Sequence, residues 1–574
     1  MSIDKKQAAN IFEEIARLLE LKGANQFRTR AYVGAARTLR SLDMELEELV
    51  DGNEKVKGIG ASSMEKLREL VKTGKMEYYE SLKAEFPEGV LDLMKIPRLG
   101  PKKVKVLYQQ LNITSLDDLE KACEQDELLS LDGFGAKTQE NILKGIKHVR
   151  QYKGRHLVRA AHVPAQEFLS HLQTLPEVLE LDLAGSLRRR KETVKDIDIV
   201  VSTEEPKAVM NAFVNHPLVH EIIAHGDTKS SVTLDSGINI DLRTVTPEQY
   251  AYALLHFTGS KEHNTVMRSR AKDKGLKLNE YGLFRGEERI HASSEEEIYG
   301  LLDLPFIPPE LREDHAEFSL AEGDGIPSLV TLEDLKGTFH AHTTYSDGSA
   351  SLDEMAQAAM LQGLEYLGIT DHSQTAYYAG GLNVYDIEKQ HKEIDALNES
   401  YDNFRIFKGI ESDILADGSL DYPEPVLASF DFIIASVHSQ FNLTKDEMTQ
   451  RIIKAIENPY TTMLGHPTGR LLLSRESYPI DMHKVIDAAI ANGVIVEINA
   501  NPHRLDIDWR LLQYAKEKGM LTSINPDAHS TEGINDMIYG VGIARKGGLQ
   551  VGDVLNTLSL QDVASYLDER HPGR

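Results

Sequence analysis

Cysteine is almost missing from this sequence: Cys123 is the one thiol in 574 residues. A single thiol excludes an intramolecular disulfide and any cysteine-based metal site, and it suits a reducing compartment. Cys123 itself reads as a small buried apolar residue. No apolar run is long enough to span a bilayer, so a membrane protein is not expected. Met1-Ser-Ile-Asp-Lys-Lys leads into an amphipathic helix rather than the apolar core of a signal peptide, so a cytoplasmic protein is expected. A basic excess is missing too, and the net charge of −26 seems to argue against a nucleic-acid ligand. The acidity is unevenly placed, however. Residues 1–150 carry 25 basic and 25 acidic side chains, 151–320 carry 20 and 27, and 321–574 carry 19 and 38. A neutral N-terminal part can still turn a basic face to a polyanion. At this length several domains are expected.

The most informative stretch is Leu183-Ala-Gly185-Ser186-Leu-Arg-Arg189-Arg, followed by Asp196-Ile-Asp198-Ile-Val-Val201. Residues two apart in a strand face the same side, so Asp196 and Asp198 share a face while Ile199, Val200 and Val201 anchor the strand in a sheet. Paired carboxylates repel unless cations sit between them, and hard oxygen ligands suit Mg²⁺ or Mn²⁺. Gly185 lets backbone N–H groups approach an anion, Ser186 adds a hydroxyl donor, and Arg189 offers a bidentate phosphate clamp. A third carboxylate, Asp241, stands on a second apolar strand, Ile238-Asn-Ile-Asp241-Leu. The set reads as a two-metal phosphoryl-transfer site. Gly-Ser followed by Asp-x-Asp resembles the nucleotidyltransferase superfamily.

Upstream, residues 4–20 and 27–37 have helical periodicity, the second with arginines interleaved. Three Gly-x-Gly turns follow, each leading into a helix: Gly58-Ile-Gly60, Arg98-Leu-Gly100 with Lys102, and Gly133-Phe-Gly135 with Lys137. Arg98 replaces the first glycine of the second copy. Such turns expose backbone N–H groups at a helix start and hold phosphate without reading bases. The repeat predicts helix-hairpin-helix DNA binding without sequence preference. Downstream of the aspartates, His256-Phe257-Thr-Gly259-Ser-Lys-Glu-His-Asn264 and Arg268 suggest a helix from Phe257 onward with Asn264 and Arg268 on one face. They would line a base-pair pocket, with His256 or Phe257 under the sugar.

These motifs, together with Asn279-Glu280-Tyr281, stand in the order of family X DNA polymerases of the polymerase beta type, which residues 1–315 resemble. The resemblance implies short-gap filling in base-excision repair on gapped or primer-template DNA with deoxynucleoside triphosphates. It assigns two metals to Asp196, Asp198 and Asp241, the triphosphate to Ser186 and Arg189, the incoming base to Asn264 and the template to Arg268. Lys66 takes the place of the family's Schiff-base lysine for deoxyribose-phosphate lyase chemistry. Ser62 and Arg28 replace lysines of the lyase subtype, and an ordinary surface lysine remains the other reading of Lys66. Ribonucleotide discrimination is open as well, because His256 sits where an aromatic sugar contact is typical.

Beyond a Gly- and Pro-bearing stretch read as a linker, short apolar strands repeatedly end in metal-ligand residues. Nine candidates result: His340, His342, Asp347, His372, Glu411, His438, His466, Asp527 and His529. Seven such units, separated by helical patterns at 351–363, 446–457, 481–492 and 553–568, imply a (β/α)7 barrel with ligands at the C-terminal strand ends. Mixed imidazole and carboxylate sets suit two or three Zn²⁺, Mn²⁺ or Fe ions. His340-x-His342-x₄-Asp347-Gly348, Asp371-His372 and Asp527-Ala-His529 resemble the PHP (polymerase and histidinol phosphatase) phosphoesterases. Arg470 and Arg504 are candidates for positioning phosphate.

The expected architecture is thus multidomain, α followed by α+β and α/β. It comprises an N-terminal helical domain (1–82), a fingers-like helix-hairpin-helix domain (83–153), a nucleotidyltransferase palm (154–248) and a thumb-like domain (249–318). A linker (319–335) and a PHP barrel (336–574) complete it. The order resembles the bacterial PolX family. That implies a DNA polymerase with a metal-dependent 3′→5′ exonuclease, and abasic-site cleavage as an additional activity. Nothing requires an oligomer, so a monomer is expected. A small-molecule phosphatase with a degenerate polymerase half and a non-catalytic DNA-end scaffold are the rival readings. Intact Asp196, Asp198 and Asp241 count against the first, and both complete metal sets count against the second. A nucleotidyltransferase for RNA or antibiotics is disfavoured by the hairpin repeats.

Overall fold

Ala8, Phe12, Ile15 and Leu19 recur at helical spacing, and in a computed structural model all four are buried along one face of a helix, Lys5–Lys22. The structure describes residues 5–571 except 41–45, 52–55, 57, 97–98 and 324. The helix packs on Gln26–Arg40 through Tyr32, Ala35, Ala36 and Leu39. A second apolar cluster gathers Val104, Leu107, Leu119, Phe134 and Ile146 from the helices Pro101–Leu111, Leu116–Glu124 and Ala136–Tyr152. Cys123 belongs to it, with its thiol pushed up to about 11 by burial and nearby glutamates. These all-helical residues lie in one compact unit, 1–153; the rest, 154–574, form another.

The second unit begins with a five-stranded sheet of β1 (Glu180–Leu183), β2 (Asp196–Ser202), β3 (Val219–His225), β4 (Lys229–Leu234) and β5 (Asn239–Val245), in the order β1-β2-β5-β4-β3. The central pair, β2 and β5, runs parallel with Asp198 opposite Asp241. Ile197, Ile199 and Val201 are buried with Phe168 of helix Val158–Gln173 and Phe213 of helix Pro206–Val214. Each such buried side chain contributes about 1.5–3 kcal/mol. The other face, which carries the aspartates, meets helix Tyr250–Thr258 through Val200, Ala253 and Leu254.

That helix corrects one expectation. No single helix runs on from Phe257: Gly259, at φ +71°, ends the first helix, and a new one, Lys261–Asp273, starts behind the Ser260 cap. Asn264 and Arg268 do share that second helix. Three short antiparallel strands follow, β6 (Lys277–Asn279), β7 (Gly282–Arg285) and β8 (Glu288–Ile290). The stretch read as a linker is packed rather than free. Val330 and Leu335 are buried, and Val330 N donates to Leu549 O at 3.0 Å.

Seven parallel strands then run in sequence order: β9 (Gly337–Ala341), β10 (Tyr366–Ile369), β11 (Arg405–Asp413), β12 (Phe432–Ser436), β13 (Met463–Leu464), β14 (Ile495–Asn499) and β15 (Thr522–Asn525). Hydrogen bonds from His342 N to Ala528 O (2.8 Å) and Ala528 N to His340 O (3.2 Å) join the first strand to the chain after the last. The result is the expected nearly closed barrel. Its floor is aromatic: Phe339, Tyr366, Phe407 and Phe432 cluster there. Gly409 makes room, since a Cβ on it would lie 2.3 Å from the Phe432 ring. Helices Leu352–Leu361, Lys445–Ile456 and Met482–Ala491 fall where periodicity put them. The last helix starts only at Leu560 rather than near 553. Before it, Asn556 is drawn into the barrel, bonding Gly337 O, Ile524 O and Ile524 N. Among the described residues no helix is long and apolar enough to cross a membrane.

Candidate functional site

All nine candidate ligands converge at the C-terminal mouth of the barrel. Glu411, buried within β11, lies at the centre. Its carboxylate is 2.9 Å from His466 Nε2, 2.9 Å from His372 Nδ1, 3.2 Å from His438 Nε2 and 3.3 Å from His340 Nε2. Asp347 lies 3.4 Å from His529 Nε2 and 3.6 Å from His372 Nε2, and Asp527 is 3.4 Å from His342 Nε2. The nine side chains form four overlapping groups whose ligand atoms lie within 4.8 Å of one another. Both ring nitrogens of buried His342 and Nδ1 of His466 have no hydrogen-bond partner. Buried polar atoms are seldom left so, and a divalent cation is the partner such lone pairs fit. Burial, and after it His529 and His372, push the His342 imidazole down to about 3, which keeps it a neutral donor. His340 and Asp527 hold φ of +60° and +52°, a left-handed backbone uncommon for non-glycine residues, though His and Asp adopt it more readily than most.

An outer layer holds these ligands, and the sequence reading left it out. Glu497 of β14 accepts from His340 Nδ1 at 2.5 Å, from His466 N at 2.6 Å and from Asn525 Nδ2 at 3.0 Å. Asp413 lies 2.6 Å from His438 Nδ1. Asp371 accepts from Thr343 N and Gln390 Nε2, so it orients the loop after β9. The signal was present: Glu497-Ile-Asn499 and Glu411-Ser-Asp413 place polar pairs on one face of barrel strands. Glu497→Gln is expected to lower metal affinity about 10–100-fold. Metal content after graded dialysis against chelator measures this, and wild-type retention would reduce Glu497 to packing.

Of the two candidate phosphate-positioning arginines, only Arg504 reaches the cluster, with Nε 3.2 Å from Asp527 Oδ2. Arg470 is spent on Arg504 O, Leu505 O and Asp508.

In the palm, Asp196 and Asp198 alternate with buried Ile197 and Ile199, so both stand on the face away from the core. Asp241 accepts from Ser231 Oγ at 2.6 Å and pairs with Lys229 Nζ at 2.6 Å. Burial, then Asp196 and Asp241, push the Asp198 carboxyl up to about 7. A hard cation would relieve that repulsion, and Lys229 supplies one positive charge against Asp241. Gly185 opens a four-residue helical turn at φ +59°, where an added Cβ would sit 2.0 Å from Asp198 Oδ2. Its role is therefore steric as well as conformational. Gly185→Ala should cost about 1–3 kcal/mol and displace Asp198. A lower Tm with loss of nucleotide addition is the expected readout, and an unchanged Tm would refute the crowding.

Arg189 is engaged rather than free. Its Nη1 bonds Thr258 O and its Nε lies 3.1 Å from Glu313 Oε1. Glu313 also holds Lys191 at 3.2 Å and Lys546 at 2.9 Å, and Lys546 donates to Arg189 O at 2.9 Å. Burial opposes the charge on Glu313, yet Lys546, Arg189 and Lys191 hold it at about 2. Lys546 belongs to the barrel's helix Met537–Lys546, so this network bolts the barrel to the palm turn. Lys546→Met should destabilise the folded chain by about 3 kcal/mol by leaving a buried charge short of a partner. Urea midpoints test it, and an unchanged midpoint would count against the network.

A cleft of about 290 Å³ is lined by Arg189, His256, Phe257, Gly259, Asn264 and Arg268. It unites six of the eight expected nucleotide contacts; Gly185 and Ser186 do not line it. Asn264 Nδ2 donates to His256 O at 2.7 Å, and the Phe257 ring lies 4.3 Å from the Arg243 guanidinium.

Family models match four segments: helix-hairpin-helix domain at 3–76, SAM-like helix-hairpin-helix tandem at 90–148, DNA polymerase beta thumb at 253–313 and PHP domain at 338–501. Over almost its whole length the chain is similar to the DNA polymerase/3′-5′ exonuclease PolX of Bacillus subtilis. The two are 41% identical over 567 residues, which cover 98% of this chain and 99% of that protein. The chain belongs to the PolX family. Two proteins named probable phosphatase, from Thermoanaerobacter sp. and Caldanaerobacter subterraneus, are each 30% identical to it. Each match covers 40% of this chain, and 94% and 90% of the respective protein.

In this PolX chain the three hairpin turns share one geometry where they are described. Gly60, Gly100 and Gly135 are extended residues immediately before the helices Ala61–Thr73, Pro101–Leu111 and Ala136–Tyr152. None of these helix starts has a side-chain cap, which leaves backbone donors for an anion. Gly58 and Gly133 turn the chain at φ +101° and +81°; Arg98 lies outside the described residues. Lys102 and Lys137 sit in the first turns of their helices. Lys66 Nζ donates to Ser62 Oγ at 2.8 Å and lies 4.9 Å from the centre of the Tyr78 ring, whose hydroxyl accepts from Arg28. Ser62 and Arg28, the two departures noted in the sequence, thus surround Lys66 directly or through Tyr78.

Proposed function

We propose that this chain fills short gaps in DNA during base-excision repair and trims 3′ ends with a separate nuclease site in the same polypeptide, acting as a cytoplasmic monomer. The carrying observation is the convergence of all nine barrel ligands beside a palm whose three aspartates lie on adjacent strands. Asp196, Asp198 and Asp241 would hold Mg²⁺ or Mn²⁺, and the barrel set two or three Zn²⁺, Mn²⁺ or Fe ions. Such ions activate the attacking oxygen and offset charge on the phosphate. The chain's own residues do the rest. Ser186 and the Gly185 turn meet the triphosphate, while Arg189, fixed by Glu313, lines the nucleotide cleft. Asn264 faces the incoming base and Arg268 the template side. In the barrel, Arg504 lies beside Asp527, placed to draw a phosphodiester toward the ligands.

Domain limits are read at 1–82, 83–153, 154–248, 249–318 and 336–574, with the two N-terminal segments gripping the DNA backbone through Gly58, Gly60, Gly100, Lys102, Gly133, Gly135 and Lys137. Lys66 stands as the candidate lyase amine. The test is end-labelled DNA with a one-nucleotide gap, with Mg²⁺ or Mn²⁺, with and without nucleotides. Extension by one residue with nucleotides, and shortening without them, is expected. Binding with neither reaction would overturn the proposal in favour of a scaffold. No binding, with hydrolysis of phosphate monoesters, would favour the small-molecule phosphatase.

A further inference from the structure

Immediately after the ligand His372 the chain forms a short loop that presents aromatic rings to solvent. Tyr377 is 86% exposed and Tyr378 72%, and Tyr385, on the first turn of the next helix, is 73% exposed. The flanking residues behave in the opposite way: Ala376, Ala379 and Leu382 are buried. The loop is also tightly held. Ala379 N donates to Ala376 O, Gly381 N to Ala376 O, and Leu382 N to His372 O. Thr375 bonds both Asp421 and Asp413, and Gln374 bonds Tyr422 and Asp421. Gly381 lets the loop close, since a Cβ there would fall 1.9 Å from Ser373 O. Rigid backbone is thus used to hold two large rings out of any core.

Their position gives the purpose. The Tyr378 ring lies 6.1 Å from the ring of His372. The deepest ligands, His340, His342 and Glu411, are at most 1% exposed, whereas Asp347 and His529 form a rim with side chains 36% and 39% exposed. With its deepest ligands so buried, the cluster suits a phosphodiester carried on a single strand, whose bases are unpaired. Unpaired bases are recognised by stacking on aromatic rings, whatever their sequence. Arg504, whose Nε lies 3.2 Å from Asp527 Oδ2, supplies a cation at the cluster for the adjoining phosphate. We infer that Tyr377 and Tyr378 form a stacking platform for the bases of a single-stranded 3′ end, setting its register at the barrel's metal cluster. This rests on the nuclease reading above and names the residues that select its substrate.

The test compares wild type, Tyr377→Ala/Tyr378→Ala and Tyr377→Phe/Tyr378→Phe on end-labelled single-stranded DNA with Mn²⁺. The alanine pair should raise KM for the strand about 5-fold or more, with kcat much less affected. Metal content and gap filling should stay at wild-type values, and the phenylalanine pair should keep the wild-type KM because stacking needs the ring rather than the hydroxyl. In chelator, a strand with 5-iodouracil next to its 3′ end should photo-crosslink to Tyr377 or Tyr378. A wild-type KM in the alanine pair would overturn the platform. Should the wild type leave the strand intact, the nuclease reading fails by itself. The crosslink then decides the platform: label elsewhere, or on no residue, overturns it.

Discussion

Asp198→Asn is expected to reduce nucleotide addition by about 10³-fold or more, with shortening of 3′ ends unchanged. Asn keeps the shape of Asp198 and removes the charge through which it would hold a cation opposite Asp241. The same substitution should make the metal-free protein more stable, and this separates loss of chemistry from loss of fold. Burial, with Asp196 and Asp241 beside it, pushes the Asp198 carboxyl up to about 7 from an ordinary 3.8. A raised carboxyl pKa means that the folded state binds the proton more tightly than the unfolded state. This one carboxyl therefore withdraws up to about 4 kcal/mol of stability as pH rises from about 4 through 7, a contribution absent from the Asn variant. In chelator, the variant should melt above wild type at pH 8, with the gap closing toward pH 4. A variant that melts lower at pH 8 would refute the account of Asp198 as a repelled, buried carboxylate.

The second large effect is expected from His340→Ala/His342→Ala. Both imidazoles are buried, and between them they belong to three of the four ligand groups, so the double change should empty much of the barrel site. Shortening of 3′ ends should fall about 10³-fold or more, and extension into a one-nucleotide gap should persist. The palm carboxylates belong to a different sheet and share no ligand with the barrel. Loss of extension with folding intact would show that the two chemistries depend on each other. Metal analysis supports the assignment if the variant retains fewer ions than wild type.

The features legible in advance were those that repeat or alternate. Strand ends at His340-x-His342, His438 and His466, and apolar residues alternating with Asp196 and Asp198, carry their geometry in their spacing. What escaped depends on contacts between distant segments. Glu497 stands in an apolar strand with nothing local to mark it, and only the folded barrel brings it to His340, 157 positions earlier. Helix Val384–Ser400 was missed because its buried Ile387, Gln390 and Ile394 are scattered among charges. The break at Gly259 was hidden because Phe257 and Asn264 each suit a helix, though not the same one. The stretch before β9 looks like a tether because its apolar residues, Val330 and Leu335 among them, lie between glycines, prolines and acidic residues and give no hint that they would be covered.

The Lys546–Glu313–Arg189 network has a consequence for how such a chain can be taken apart. Its two chemistries draw on separate side chains, so either can be silenced by point substitution. Its bodies cannot be parted so simply, because the last residue of a barrel helix completes the charge balance beneath the nucleotide cleft. A nuclease inactivated in place still serves the polymerase as a buttress, whereas a nuclease deleted at the gene level takes part of the polymerase's foundation with it.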